Sequence, residues 1–260
     1  MNDIAAILSI KSLIVFLLVT SRVSGMIATA PLFSTFPIPM QLKACLCALI
    51  GFIMYPFILQ TSHFQVPNDL ITMSILMFKE VFIGILIGFC GSLIFVGVQI
   101  GGQLISMEMG LTIAAAMDPV TRQSTPVIGQ IYLYTASIIF ISINGHHWLF
   151  NTVYGSYHSI PIGMNFDFST EIYQKILYFT SQLFSIAFRL IIPLFGILFV
   201  IDIALAFTSK MMPQMNIFMV SLPLKIYLGL TLMIFFMTTS AVFLSQLIHS
   251  LLDYIQGIFT

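Results

Sequence analysis

From Val81 to Met107 the chain carries no Asp, Glu, Lys or Arg, and the same is true from Ile226 to Leu252. A helix that crosses a bilayer needs roughly 20 mostly apolar residues, so either run is long enough to cross. A soluble fold could hide such helices only behind others that carry charge outward. This chain has little charge to offer: 7% of its residues are charged and 59% hydrophobic, where an ordinary soluble domain has about 25% charged. Lipid, or a large protein assembly, must cover much of its surface.

Six regions have the apolar length of a span: Ile4–Thr29, Leu42–Leu59, Leu70–Ser106, Val127–Ile143, Ile176–Thr208 and Ile217–Leu252. The third is long enough for one very long helix or for a helix with a break, and Pro193 predicts a kink in the fifth. The connection from Asn144 to Glu171 holds Trp148, Tyr154, Tyr157, Phe166 and Phe168, aromatics that suit a membrane interface. Within it Phe150, Val153, Tyr154 and Tyr157 share a helical face, which predicts a short amphipathic or re-entrant helix. The expected fold is an all-α integral membrane protein of about six long hydrophobic helices or helical hairpins, in one membrane-embedded domain over residues 1–260. The first apolar segment lacks a basic n-region and is interrupted by Lys11 and Arg22, so it reads as retained rather than cleaved. Lys43, Arg122 and Lys210 mark the first, third and fifth connections, which places both termini on the extracytoplasmic side.

Charge and motif content exclude several functions. Nine basic and nine acidic residues are scattered singly, with no basic patch for nucleic acid and no polybasic lipid anchor. Cys45, Cys47 and Cys90 lie in apolar runs and read as inert thiols. The five histidines include the adjacent pair His146–His147, not an i, i+4 ligand pair, and no His-Glu-x-x-His is present. Neither a nucleophile elbow nor a phosphate-binding loop occurs. The reading is of a protein with no catalytic, cofactor-binding or metal-binding residues.

Two sets of residues suggest packing or assembly. Gly84, Gly88, Gly97, Gln99, Gly101 and Gln103 belong to the third region, where small residues let helix backbones approach and Gln hydrogen-bonds across the contact. A subunit contact or conduit wall and packing within the chain remain equally open readings. Arg22, Arg189 and Asp202 are charges inside apolar segments and are expected to be buried; such groups at membrane depth need partners. Arg189 and Asp202 fall on nearly opposite faces of a straight helix and are expected to pair elsewhere rather than with each other. Lys79 and Glu80 do not face each other, and read as residues near a helix end.

The least ordinary stretch follows the third region: Met107, Glu108, Met109, Gly110, Leu111, Thr112, Ile113, three alanines, Met117, Asp118 and Pro119. It is too apolar for a surface loop, and its methionines could seal an irregular contact. By composition it reads equally as a loop inside a pore and as a short buried helix joining two spans.

The order of motifs resembles one known family over nearly the whole chain. Arg22-x-x-Gly25, Pro31-Leu32-Phe33 and Pro37-x-Pro39 come first. Gly101, Ser106-Met107-x-Met109-Gly110-Leu111 and Asp118-Pro119 follow. Gly145-His146-His147, Ser156 and Pro161-x-Gly163 are next, then Asp202, Pro213 to Phe218, and Leu222-Pro223-Leu224-Lys225. In this order they are similar to the FliR/SpaR/YscT-type family of type III export-gate proteins. The resemblance implies a subunit of a helical hetero-oligomeric gate in the bacterial cytoplasmic membrane, within the flagellar basal body. Its implied partners are FliP- and FliQ-like subunits, an FlhB-like subunit, and exported flagellar proteins including rod and adaptor components. It also implies that the segment from about Ser106 to Arg122 is a central plug, and that no cofactor is used. The injectisome branch of the same family and a multi-pass secondary transporter are the competing readings.

Overall fold

The computed structural model describes residues 10–61, 69–116, 127–163, 170–214 and 216–259. Every regular element among them is a helix: α1 Ile10–Thr29, α2 Pro31–Thr35, α3 Met40–Thr61, α4 Leu70–Glu108, α5 Leu111–Ala116, α6 Val127–Ser142, α7 Gly145–Ser159, α8 Thr170–Met211 and α9 Ile217–Phe259. Met117, Asp118 and Pro119 lie outside the described residues.

The long helices persist because their interiors are apolar and because their proline interruptions are tolerated. Pro56, Pro193 and Pro223 all lie inside helices, so the helical assignment runs through the expected kink at Pro193. Five helices are long and apolar enough to cross a membrane: α1, α3, α4, α8 and α9. A sixth is reached only if α6 and α7 are taken together, since the fourth expected span, α6, has just 16 residues. At 1.5 Å rise per residue, α4, α8 and α9 are each roughly 60 Å long, about twice the hydrocarbon thickness of a bilayer.

The chain divides into two compact units. One comprises Met1–Leu93, Asn144–Phe179 and His249–Thr260; the other comprises Ile94–Ile143 and Thr180–Ile248. In the first, α1 buries Val15, Leu18, Val19, Arg22, Val23, Met26 and Ile27. That i, i+3, i+4, i+7 stripe is the core-facing pattern of a helix, with an arginine standing where an apolar residue would be expected. The expected short helix at residues 150–157 is α7, which buries Leu149, Thr152, Val153, Ser156 and Tyr157 by the same spacing. Tyr154, placed with that face from sequence, is exposed.

The second unit has its core around Val98, Ile105, Tyr132, Phe140, Leu194 and Leu244. Phe95 and Phe140 meet edge to face, with ring centroids 5.4 Å apart. Here α4 stops at a left-handed residue, Gly110, with φ of 77°. The Gly110 amide donates to the Met107 carbonyl at 3.0 Å, and the Gly110 carbonyl then accepts from the Ile113 amide as α5 begins. Glycine at a left-handed helix C-terminus is the residue that makes this turn without strain.

Candidate functional site

The first constellation is built where α1 crosses α4. Helical spacing puts Glu80, Gly84 and Gly88 on one line of α4. A Cβ at Gly84 would strike the Arg22 carbonyl oxygen, and one at Gly88 would strike the Thr29 hydroxyl and the Met26 carbonyl. From the other side, a Cβ at Gly25 would strike the Val81 carbonyl. Gly84 and Gly88 thus pack within the chain, against α1.

This close approach brings Arg22 to Glu80. The Arg22 Nε donates to Glu80 Oε2 at 2.6 Å, and the two residues are 0% and 1% exposed. α7 completes the socket. Arg22 Nη1 donates to Ser156 Oγ at 2.9 Å, and Nη2 donates to the Ile160 carbonyl at 3.1 Å. The guanidinium carbon lies 3.8 Å from the centre of the Tyr157 ring. All three guanidinium nitrogens are thus engaged while an aromatic face covers the plane. A lysine, with one nitrogen and no flat face, could not reproduce this. Arg22 is the buried charge that its sequence position suggested. Glu80 is not at a helix end: it lies inside α4, on the stripe that Ile83 and Ile87 continue.

The second unit holds the apolar segment that follows α4. Met107 is exposed, Met109 is fully buried, Leu111 is half-buried and Ile113 is exposed. Met109 packs on α9, where a Cβ at Gly229 would come 2.6 Å from its Cγ. Gly110 faces Leu222 of the same helix, the nearest atom to a Cβ there being 3.7 Å away. The segment is therefore anchored at Met109 and Gly110, and its next turn reaches outward.

Beside that anchor lies the second charged group. Lys225 of α9 donates to Asp202 Oδ2 of α8 at 2.7 Å. Glu108, the last residue of α4, lies near Asp202 and Lys225. Asp202 and Lys225 are partly exposed rather than fully buried, and they lie at similar distances from the α8–α9 turn. As expected from helical geometry, Asp202 does not pair with Arg189. Arg189 itself is exposed within this chain.

Of the remaining packing residues, Gly101 lies against Ala187 and Leu190 of α8, its Cβ position 3.1 Å from the Ala187 carbonyl. Gln99 and Gln103 flank Gly129 of α6, each contributing an atom 3.2 Å from a Cβ built there. Gly97 is buried. Sequence reasoning missed Glu80 and Lys225 as partners, and gave Ser156 and Tyr157 no part in a charged socket. The helical stripe of α4 could have placed Glu80, because it continues back from Ile83 and Ile87.

Helices throughout, five of them long and apolar enough to cross a membrane, define a multi-pass, all-α membrane protein built around helix contacts. Residues 13–251 match the family model described as bacterial export proteins, family 1. The chain belongs to that family, whose members include the FliR and SpaR export-gate proteins. It is 32% identical over 225 residues to the flagellar biosynthetic protein FliR of Bacillus subtilis (strain 168), covering 84% of each chain. It is 29% identical over 242 residues to the flagellar biosynthetic protein FliR of Escherichia coli (strain K12), covering 91% of this chain and 89% of that one. The surface presentation of antigens protein SpaR of Shigella sonnei is 29% identical over 171 residues, covering 66% and 65%.

Proposed function

We propose that the chain is a core, non-catalytic subunit of the flagellar type III protein export gate. With FliP- and FliQ-like subunits it would form the conduit through which unfolded flagellar proteins cross the bacterial cytoplasmic membrane, with an FlhB-like subunit alongside. The family match supports the export-gate class, and the FliR relatives favour the flagellar branch.

The observation that carries the assembly reading is the length of the exposed apolar helices. α8 buries little of itself, with Tyr173, Phe184, Ile192, Val200, Phe207 and Met211 all facing out, an exposed apolar run of roughly 57 Å at 1.5 Å per residue. A bilayer covers only about 30 Å of hydrocarbon thickness. The rest of such a surface needs other protein against it, as a helical hetero-oligomer would provide. A transporter acting alone would leave it bare.

The segment from Met107 to Pro119 is the proposed plug. Its anchor at Met109 and Gly110 and its exposed Met107 and Ile113 suit a loop that closes a passage by apolar contact and swings aside on export. A hydrophobic constriction can gate by excluding water. Affinity purification in mild detergent, with identification of the co-purifying chains, tests the assembly. FliP- and FliQ-like partners are expected; a chain that purifies alone would sink the reading. The resemblance to SpaR keeps the injectisome branch as a second reading, and the identity of the secreted proteins separates the two.

A further inference from the structure

Arg189 stands in the middle of α8 with no hydrogen bond or ion pair to any described residue. It opens onto a cavity of about 210 Å³ within the second unit, lined also by Tyr132, Pro193, Phe236, Thr239 and Ser240. Tyr132 is 1% exposed, and its buried hydroxyl is near Ser240 without a well-formed hydrogen bond to it. The Ser240 hydroxyl donates to the Met237 carbonyl, so its oxygen remains free to accept. A lone guanidinium and a phenol O–H with no well-formed hydrogen bond therefore converge on one small, largely apolar hollow.

We propose that this hollow is a socket for a carboxylate carried on a helix of a neighbouring gate subunit, an inference that rests on the assembly reading above. Two donors of this kind suit an anion. Guanidinium and carboxylate match as planar groups, and the pair strengthens when the surroundings are apolar.

A lipid phosphate is the other anion to weigh, and depth argues against it. Arg189 lies roughly 24 Å of helix from Tyr173 and roughly 33 Å from Met211, the two ends of the apolar stretch of α8, at 1.5 Å per residue. If the bilayer is centred on that stretch, Arg189 is at hydrocarbon depth, where no phosphate sits. If Arg189 is instead at a bilayer surface, a long apolar arm of α8 stands outside lipid and must be covered by protein. Either placement puts a protein neighbour beside Arg189, and an uncompensated charge there is costly.

The test uses the assembled complex in mild detergent. In an Arg189→Lys variant, dicyclohexylcarbodiimide can join the new amine to a carboxylate in direct contact, and mass spectrometry identifies the linked peptide. The expected product links position 189 to an Asp or Glu of another subunit. In parallel, Arg189→Glu is expected to lower recovery of the complex at least several-fold, and Arg189→Gln and Tyr132→Phe to lower it less. An Asp or Glu to Lys change at the linked position should then restore the Arg189→Glu complex.

Three results would overturn the proposal. One is a link only within this chain, or no link, while Arg189→Gln assembles at the wild-type level. Another is an anionic phospholipid that the wild-type complex retains and Arg189→Gln loses, with subunit content unchanged. The third is a wild-type chain that purifies without other subunits, which would overturn the assembly reading as well. The first two leave that reading standing.

Discussion

Arg22 and Glu80 are 58 positions apart in the chain, yet the guanidinium Nε of one lies 2.6 Å from a carboxylate oxygen of the other, and neither residue is open to solvent. The contact depends on three glycines that let α1 and α4 touch by their backbones. Removing one member leaves the other charge buried and alone, which typically costs 3–5 kcal/mol, whereas replacing both with apolar groups of similar volume is often neutral. Arg22→Met, Glu80→Leu and Glu80→Gln are therefore each expected to lower the midpoint of thermal unfolding in detergent sharply. Arg22→Met combined with Glu80→Leu should recover part of the loss. Additive losses in that double-mutant cycle would show that the pair is not coupled.

The glycines predict a graded series. Gly84→Ala places a methyl on the Arg22 carbonyl, and backbone must move; unfolding at a clearly lower temperature is expected. At Gly91 the nearest atom is the tip of Leu149, 3.3 Å away, which can rotate aside, so Gly91→Ala should be mild. At Gly196 a Cβ meets nothing within 4 Å. There alanine should stabilise by about 0.5–1 kcal/mol, because glycine is the poorer helix residue. Detergent melting curves of the three variants check the order.

Gly110 separates conformation from crowding. The space beside it admits a Cβ, but its φ of 77° disfavours one. Gly110→Ala should cost about 1–2 kcal/mol at this turn, with Gly110→Asn milder. Under the plug reading both variants, and deletion of Gly110–Ala116, should raise ion leakage through the assembled gate, most for the deletion. Unchanged leakage with normal assembly would remove the plug assignment.

Asp202 and Lys225 give the contrasting case. Their pair is partly open to solvent, so screening limits it. In the isolated chain Asp202→Asn should cost under about 1 kcal/mol, far less than Glu80→Gln. Comparing the two variants in parallel melts would expose any error in this ranking.

Much of the fold was legible because apolar length and helical spacing are local properties. The two uncharged runs located α4 and α9, and α7 was foreseen from the helical spacing of Phe150, Val153 and Tyr157, although Tyr154 turns outward. Arg22 showed itself as a charge on an apolar stripe. Its acid did not, because neighbouring Lys79 and Glu80 look like a helix end although the third region runs past them, and only the fold shows α1 crossing α4 at Glu80. Lys225 was visible as part of a motif, but pairing it with Asp202 requires knowing how α8 and α9 turn. Arg189 differs again: it is exposed within this chain, and nothing in the sequence says what lies against it.

The Arg22 socket also sets an order of events during synthesis. Arg22 and Glu80 leave the ribosome well before Ser156 and Ile160, and at 5–20 residues per second the 76 residues from Glu80 to Ser156 take roughly 4–15 s. Over that interval the nascent chain holds an arginine with one carboxylate and two unmet nitrogens. α1 and α4 can therefore find each other early, but their junction stays unsealed until α7 emerges. A chain truncated before residue 156 would carry an open polar seam, a mark by which membrane quality control could tell an unfinished subunit from a finished one.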